Sequence, residues 1–312
     1  MNMSARTGRG PSPRAVAGFT LVELMVSLVL GMIVTAAALA MFLSNRQVYQ
    51  TTENLGRVHE TVRSAYELMA RDMREATGNA CEAHLNTANV LRTPGANWWC
   101  NFDTTLQGND GVTVESHNAP SAQFKDNTIN HGLSPGDIVM VCDFDHATLL
   151  QVTNASPGIN DTIVHNNGGA LVPGNCSKGL GFPTDCSSAL GAQYAFGPNA
   201  VIARARMHRW YVGRNSRGGR SLFEATVVNN GGVLQVARQE IAEGVDNMAL
   251  QYLVAGAAGY ADADAISAAQ WSGPGVIAVR VLLTLSGDAA NAGGDAVQRT
   301  LEHTVTLRNR VP

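Results

Sequence analysis

Apolar and polar positions along the chain fall into three regimes. From Phe19 to Leu43 nearly every residue is apolar, and Glu23 is the one charge between Arg14 and Arg46. That run is about 25 residues, roughly 37 Å as α-helix, enough to cross a bilayer core of ~30 Å. From Arg46 to Ala76 the pattern becomes two-faced. Val48, Leu55, Val62, Met69 and Ala76 recur at heptad spacing, and Val58, Ala65 and Met73 fill the same stripe. Glu53/Arg57, Arg63/Glu67, Glu67/Arg71 and Arg71/Glu75 stand four apart on the other faces. The stretch holds no Pro and only Gly56, and Gly78 and Asn79 are natural stop residues. One helix is therefore predicted from about Phe19 to about Thr77, roughly 90 Å at the standard rise. Its first half suits lipid, and its second half suits a globular head. A coiled coil is the competing reading of the heptads. It is disfavoured because a long β-rich segment follows and needs something to pack on.

From Cys81 onward the pattern changes to short alternating runs between turns. Ile138–Cys142 and 148–153 flank Asp143-Phe144-Asp145-His146 as a hairpin. Val201–Val212 and Ser221–Val228 flank a second turn at 213–220, and Asn229-Asn230-Gly231-Gly232 leads into 233–237. Val245–Val254, Val276–Leu285 and Val297–Leu307 read as longer strands. The predicted fold is α+β, a long N-terminal helix packed on an antiparallel β-sheet head. Residues 155–197, rich in Gly, Asn, Pro and Ser, interrupt it as an irregular excursion. The chain divides into 1–18, a membrane segment 19–45, an amphipathic segment 46–78 and a β-rich head 79–312.

Charge adds an orientation. Arg6, Arg9 and Arg14 precede the apolar run and no acid does, so this flank is expected in the cytoplasm and the head outside it. The run is too long for a cleaved signal core and has no A-x-A site behind it, so it is read as retained. The formal net charge is -3, which gives no push toward nucleic acid. Five cysteines, Cys81, Cys100, Cys142, Cys176 and Cys186, suit an oxidising compartment. Short loops favour Cys81–Cys100 and Cys176–Cys186, although spacing alone leaves the pairing open. Cys142 sits in a strand-like run and reads as a buried thiol.

Gly18-Phe19-Thr20-Leu21-Val22-Glu23, joined directly to the spanning run and preceded by basic residues, resembles the class III leader of type IV pilins and type II secretion pseudopilins. Looser features resemble the C-terminal half of PilW-type minor pilins: Tyr211-Val212 with Arg214-Asn215, Glu243-Gly244-Val245-Asp246-Asn247-Met248 with Gln251-Tyr252, Val279-Arg280-Val281 and Leu307-Arg308-Asn309-Arg310. The resemblance implies that prepilin peptidase cuts between Gly18 and Phe19 and methylates the Phe19 amine. Glu23 would then meet the amine of a neighbouring subunit. It further implies a minor pilin that helps prime pilus assembly, with other minor pilins and the major pilin as partners. Such a protein waits in the inner membrane with its head in the periplasm and then joins the fibre, near its tip. A minor pseudopilin is the nearest alternative, and a signal-anchored periplasmic enzyme or binding protein a more distant one. Major pilins usually carry a proline in the membrane run, and none is present here. Thr20 and Glu23 also form a plain S/T-x-x-E capping box, which is compatible with both roles.

No motif for catalysis stands out. H-E-x-x-H, C-x-x-C and G-x-S-x-G are absent, and none of the eight histidines has another within four residues. No enzyme activity, cofactor or metal is expected. Asp143, Asp145 and His146 beside Cys142 could ligate a metal but read better as a turn. Asp262 and Asp264 have D-x-D spacing without the rest of a calcium loop. Arg204, Arg206, Arg209, Arg214, Arg217 and Arg220, interleaved with Trp210 and Tyr211, could bind nucleic acid; a solvated hairpin paired with acids is favoured.

Overall fold

The computed structural model describes residues 18–75, 81, 85–92, 97–100, 109–118, 122–272, 275–290 and 296–307. The chain divides into two units, Met1–Glu53 and Asn54–Pro312. The described backbone of the first belongs mainly to one helix, α1 (Leu21–Glu75). Every side chain from Leu21 to Gln50 is exposed. This stretch is the one helix among the described residues long and apolar enough to cross a membrane. Such a run needs a covering other than water. The basic leader at 1–17 and the stop predicted at Gly78-Asn79 lie outside the described residues.

The second unit is rich in strands. In chain order they are β1 (Asn86–Asn89), β2 (Asn109–Asn118), β3 (Gln123–Asp126), β4 (Ile138–Cys142), β5 (His146–Gln151), β6 (Asn154–Ala155), β7 (Thr162–Val164) and β8 (Val201–Ala205). Then come β9 (His208–Arg214), β10 (Arg220–Asn230), β11 (Val233–Glu243), β12 (Val245–Val254), β13 (Tyr260–Ala261), a short helix α2 (Ala268–Ser272), β14 (Val276–Ala290) and β15 (Ala296–Thr306). They form three sheets, ordered β1-β5-β4-β8-β2-β3-β7-β6, β11-β10-β9 and β13-β12-β14-β15. The fold is α+β, but the expectation of a single antiparallel sheet is corrected. There are several sheets, and β1 runs parallel to β5. The stretch 201–212, predicted as one strand, also breaks. Its first half joins the large sheet and its second half the β9–β10 hairpin. At the break Met207 is buried in a cluster with Val227 and Leu234 nearby, and its carbonyl accepts from the Val227 N–H at 3.3 Å. Burying that side chain fixes where the strand must change sheets.

The helical stripe within the second unit packs as its spacing predicts. Val62, Ala65, Tyr66 and Met69 are buried with Leu222, Val245, Val279, Val281, Leu283 and Leu307. On β14 alternate residues Val279, Val281, Leu283 and Leu285 face this core. Their cross-strand partners Tyr252, Leu250 and Met248 on β12, and Val305 and Leu301 on β15, continue the same face. Each large apolar side chain so buried contributes about 1.5–3 kcal/mol. Two polar groups on the helix fix its rotation. The Tyr66 hydroxyl donates to the Leu301 carbonyl at 2.6 Å, and the Trp210 indole N–H donates to Asp72 Oδ2 at 3.0 Å.

Asp137 joins the large sheet to the β10–β11 turn. It accepts from Arg204 (2.9 and 3.1 Å) and from the Asn229 amide (2.8 Å), while Asn229 also donates to the Pro135 carbonyl at 2.8 Å. Gly136 lies here at φ +94°, and a Cβ on it would come within 2.8 Å of the Gly232 Cα. Both the backbone angle and the close approach require glycine.

The stretch predicted as an irregular excursion carries β7 near its start and then has little regular structure, yet it is packed. Leu180 and Phe196 enter a core with Phe124, Val139, Leu150 and Ile202. The Leu180 carbonyl accepts from His146 Nε2 (2.5 Å) and the Thr148 hydroxyl (2.6 Å). Asn175, fully buried, accepts from the Gln151 N–H (2.7 Å) and donates to the carbonyls of Gln151 (2.7 Å) and His165 (3.3 Å). Gln151 in turn donates to the Gly136 carbonyl and accepts from the Gly174 N–H. A side-chain network thus supplies the backbone partners that a further strand would otherwise provide.

Cys176 and Cys186 are bridged. Cys81 is bridged to Cys142 rather than to Cys100, with Cα atoms 6.0 Å apart. Cys142 is therefore not a buried thiol. The reason is sheet pairing. Just after Cys81, β1 lies along β5 with Asn86 opposite His146, and Cys142 ends β4 opposite Ala147. The chain after Cys81 is laid beside the strand end that carries Cys142, whatever the loop length. Their sequence separation is 61. In the chain-entropy model a loop of that size stabilises by about 4 kcal/mol, more than the shorter one expected.

Candidate processing and assembly site

The residues around the start of α1 are short in number and specific in arrangement. Gly18, Phe19 and Thr20 precede the helix in non-helical backbone. Thr20 is its N-cap, and its hydroxyl accepts from the Glu23 N–H at 3.3 Å. Glu23 reaches back, and its Oε2 accepts from the Thr20 N–H at 3.0 Å and the Thr20 hydroxyl at 2.9 Å. This reciprocal pair is a complete capping box, so the lone carboxylate of the apolar run has local partners while the chain is uncut. Phe19 is 88 % exposed, and nothing lies within 4 Å of where a Gly18 Cβ would stand. Among the described residues, none packs over the Gly18 Cβ position, and the Phe19 side chain stands clear.

Further along the run the hydroxyls are satisfied inside the helix. Ser27 donates to the Leu24 carbonyl at 3.0 Å, and Thr35 to the carbonyls of Gly31 (2.8 Å) and Met32 (3.0 Å). Back-bonding of this kind lets polar residues sit in hydrocarbon. Glu23 remains the run's one charge.

Residues 13–39 match the model of the prokaryotic N-terminal methylation motif. The chain carries that motif. Its N-terminal segment is similar to that of type IV pilin-like or pseudopilin-like proteins, with a class III leader and, among the described residues, one helix long and apolar enough to anchor it in a membrane. Such a leader implies processing by prepilin peptidase and assembly with other pilins. The motif covers Gly18, Phe19 and Glu23 together. No curated protein and no solved structure matches the chain.

The remaining candidates resolve into structural roles. Asp143 Oδ1 accepts from the N–H groups of Asp145 (3.0 Å) and His146 (2.9 Å), and its Oδ2 accepts from the Tyr194 hydroxyl (2.8 Å). His146 and Cys142 are engaged with Leu180 and Cys81, so this group is a turn. Asp262 stands at the N-cap position of a short 3-10 turn at Ala263–Ala265 without a side-chain capping bond, and its Oδ1 lies 3.5 Å from the Gln251 side-chain amide. Of the arginines, Arg204 pairs with Asp137, Arg217 with Glu240 and Glu243, and Arg209 lies over Trp98. Pairing with acids on adjacent strands and turns accounts for the first two, as the hairpin reading anticipates. Arg204 and His208, both within the stretch predicted as one strand, instead belong to different sheets.

Sequence reading missed one cluster. Asp72 on α1, His208 on β9 and Glu224 on β10 converge, His208 exposed as a residue but with its side chain, like the two carboxylates, partly covered, and Trp210 stands beside them. His208 Nδ1 is 2.6 Å from Glu224 Oε1 and 3.5 Å from Asp72 Oδ2. The available signal was Asp72 itself. It lies three residues after Met69 and seven after Ala65, a carboxylate on the packed stripe of an amphipathic helix.

Proposed function

We propose that the protein is a minor pilin of the PilW type, a non-enzymatic structural subunit that helps prime pilus assembly. The observation that carries this is the methylation motif running without a break into a capped apolar helix whose single charge is Glu23. Cleavage after Gly18 creates an amine on Phe19, next to the Thr20 cap. Methylation keeps that nitrogen cationic. Removing Arg6, Arg9 and Arg14 with the leader takes the formal charge from -3 to -6. While the subunit waits in the inner membrane, the capping box shields Glu23, because a charged acid in a spanning helix is costly, about 2.5–3.5 kcal/mol at the helix centre on insertion scales and less near its end. On extraction into the fibre, the amine of a neighbouring subunit replaces the Thr20 groups as its partner. The periplasmic head is held by its bridges and polar network.

Glu23→Gln separates the two roles of this side chain, because glutamine also completes a capping box and carries no charge. Leader removal is expected to proceed as in the wild type. Recovery of the subunit in sheared fibres, or with co-purified pilins, is expected to fall about tenfold, equivalent to about 1.4 kcal/mol of lost pairing. Recovery equal to wild type would end the pairing role. A minor pseudopilin carries the same segment. Partners captured by crosslinking in the membrane tell the two apart, with pilus subunits expected here and secretion subunits contradicting the pilus assignment.

A further inference from the structure

We propose that Asp72, His208 and Glu224 form a binding site for a divalent cation of the zinc class, tying the amphipathic part of α1 to the β9–β10 hairpin. The three ligand atoms lie within 4.8 Å of one another and come from three separate elements. Their side chains are 11, 27 and 16 % exposed for Asp72, His208 and Glu224. One imidazole nitrogen and two carboxylate oxygens are a donor set that zinc accepts, at about 2.0–2.2 Å from each ligand, with a fourth position left for water or a partner. The Asp72–His208 separation of 3.5 Å already matches two ligands of one tetrahedral ion. The His208–Glu224 hydrogen bond at 2.6 Å has to open by under about 1 Å, which a side-chain rotation supplies.

The surroundings favour a cation. Two carboxylates from separate elements face one imidazole, and all three side chains are largely withdrawn from solvent. A metal ion held between them would relieve the repulsion between the Asp72 and Glu224 carboxylates. The Trp210 N–H bond to Asp72 Oδ2 orients that carboxylate, as outer partners do in metal sites. This inference stands on the head alone and does not depend on the pilin-like reading of the N terminus.

The test uses the full-length chain in detergent, stripped with a chelator and titrated with Zn2+ against a chromogenic competitor. One Zn2+ per chain is expected. Binding should weaken at least about 100-fold in His208→Gln and Glu224→Gln, and about 10-fold in Trp210→Phe, which keeps the ring and loses the N–H. Circular dichroism establishes which variants are folded. Zn2+ should raise the melting temperature of the wild type and leave that of Glu224→Gln unchanged. Co2+ should give the visible band of a four-coordinate ion in the wild type only. Absence of stoichiometric binding in the wild type would overturn the site. Equal affinity in wild type and variants would overturn it too, because the other histidines would then be responsible. Should His208→Gln fail to fold, Glu224→Gln and Trp210→Phe decide between the same outcomes.

Discussion

Replacing Met69 with alanine is expected to destabilise the head by about 2–5 kcal/mol, whereas Leu68→Ala on the next position should change it by under about 1 kcal/mol. Met69 is 1 % exposed and packed among Val279, Val281 and Leu283, while Leu68 is 40 % exposed. Both changes leave helix propensity essentially intact, since Met, Leu and Ala are all good helix formers. The contrast therefore isolates burial on the β12-β14-β15 face. Denaturant midpoints of the full chain in detergent, followed by tryptophan fluorescence, measure it. Trp210 and Trp271 both lie against this core and report its opening. Equal midpoint shifts for the two variants would show that the helix is not seated as described.

Asn175→Ala is expected to cost a comparable amount, about 3–5 kcal/mol, by a different route. It strands the N–H and carbonyl of Gln151 and weakens the satisfaction of the His165 carbonyl, all at a fully buried site. Each buried group left without a partner costs about 1–3 kcal/mol. The loss should be local at first. Residues 165–200 hold no strand and depend on this network, together with Leu180, Phe196 and the Cys176–Cys186 bridge. Limited proteolysis should then cut within this segment under conditions where the wild type resists. A variant as resistant as the wild type would show that the network is dispensable.

These two sites also mark what the sequence could and could not disclose. The buried face of α1 was legible because heptad spacing is a local property, and Val62, Ala65 and Met69 followed it. The long strands of the β12-β14-β15 sheet were legible from alternation and flanking turns. Alternation fixes which face is buried, not which strand is the neighbour. The division into three sheets, the parallel β1–β5 pair and the break at Met207 were therefore out of reach. The same limit explains Cys81. Loop length pointed to Cys100, and strand pairing brought Cys142. Asn175 and Gln151 sit in or beside a stretch whose composition reads as loop, and only their burial shows that it is ordered. Asp72, His208 and Glu224 are far apart in the chain, so no motif joins them. Gly18 to Glu23 was legible for the opposite reason: the whole signal lies in one short run beside an apolar helix.

The central claim is that this run is a processed pilin-like N terminus. Mass spectrometry of the N-terminal peptide, on protein extracted from the native membrane, tests it most directly. The account predicts a chain that begins at N-methylated Phe19 with residues 1–18 gone. An N-terminal peptide that still contains the Gly18–Phe19 bond would contradict it.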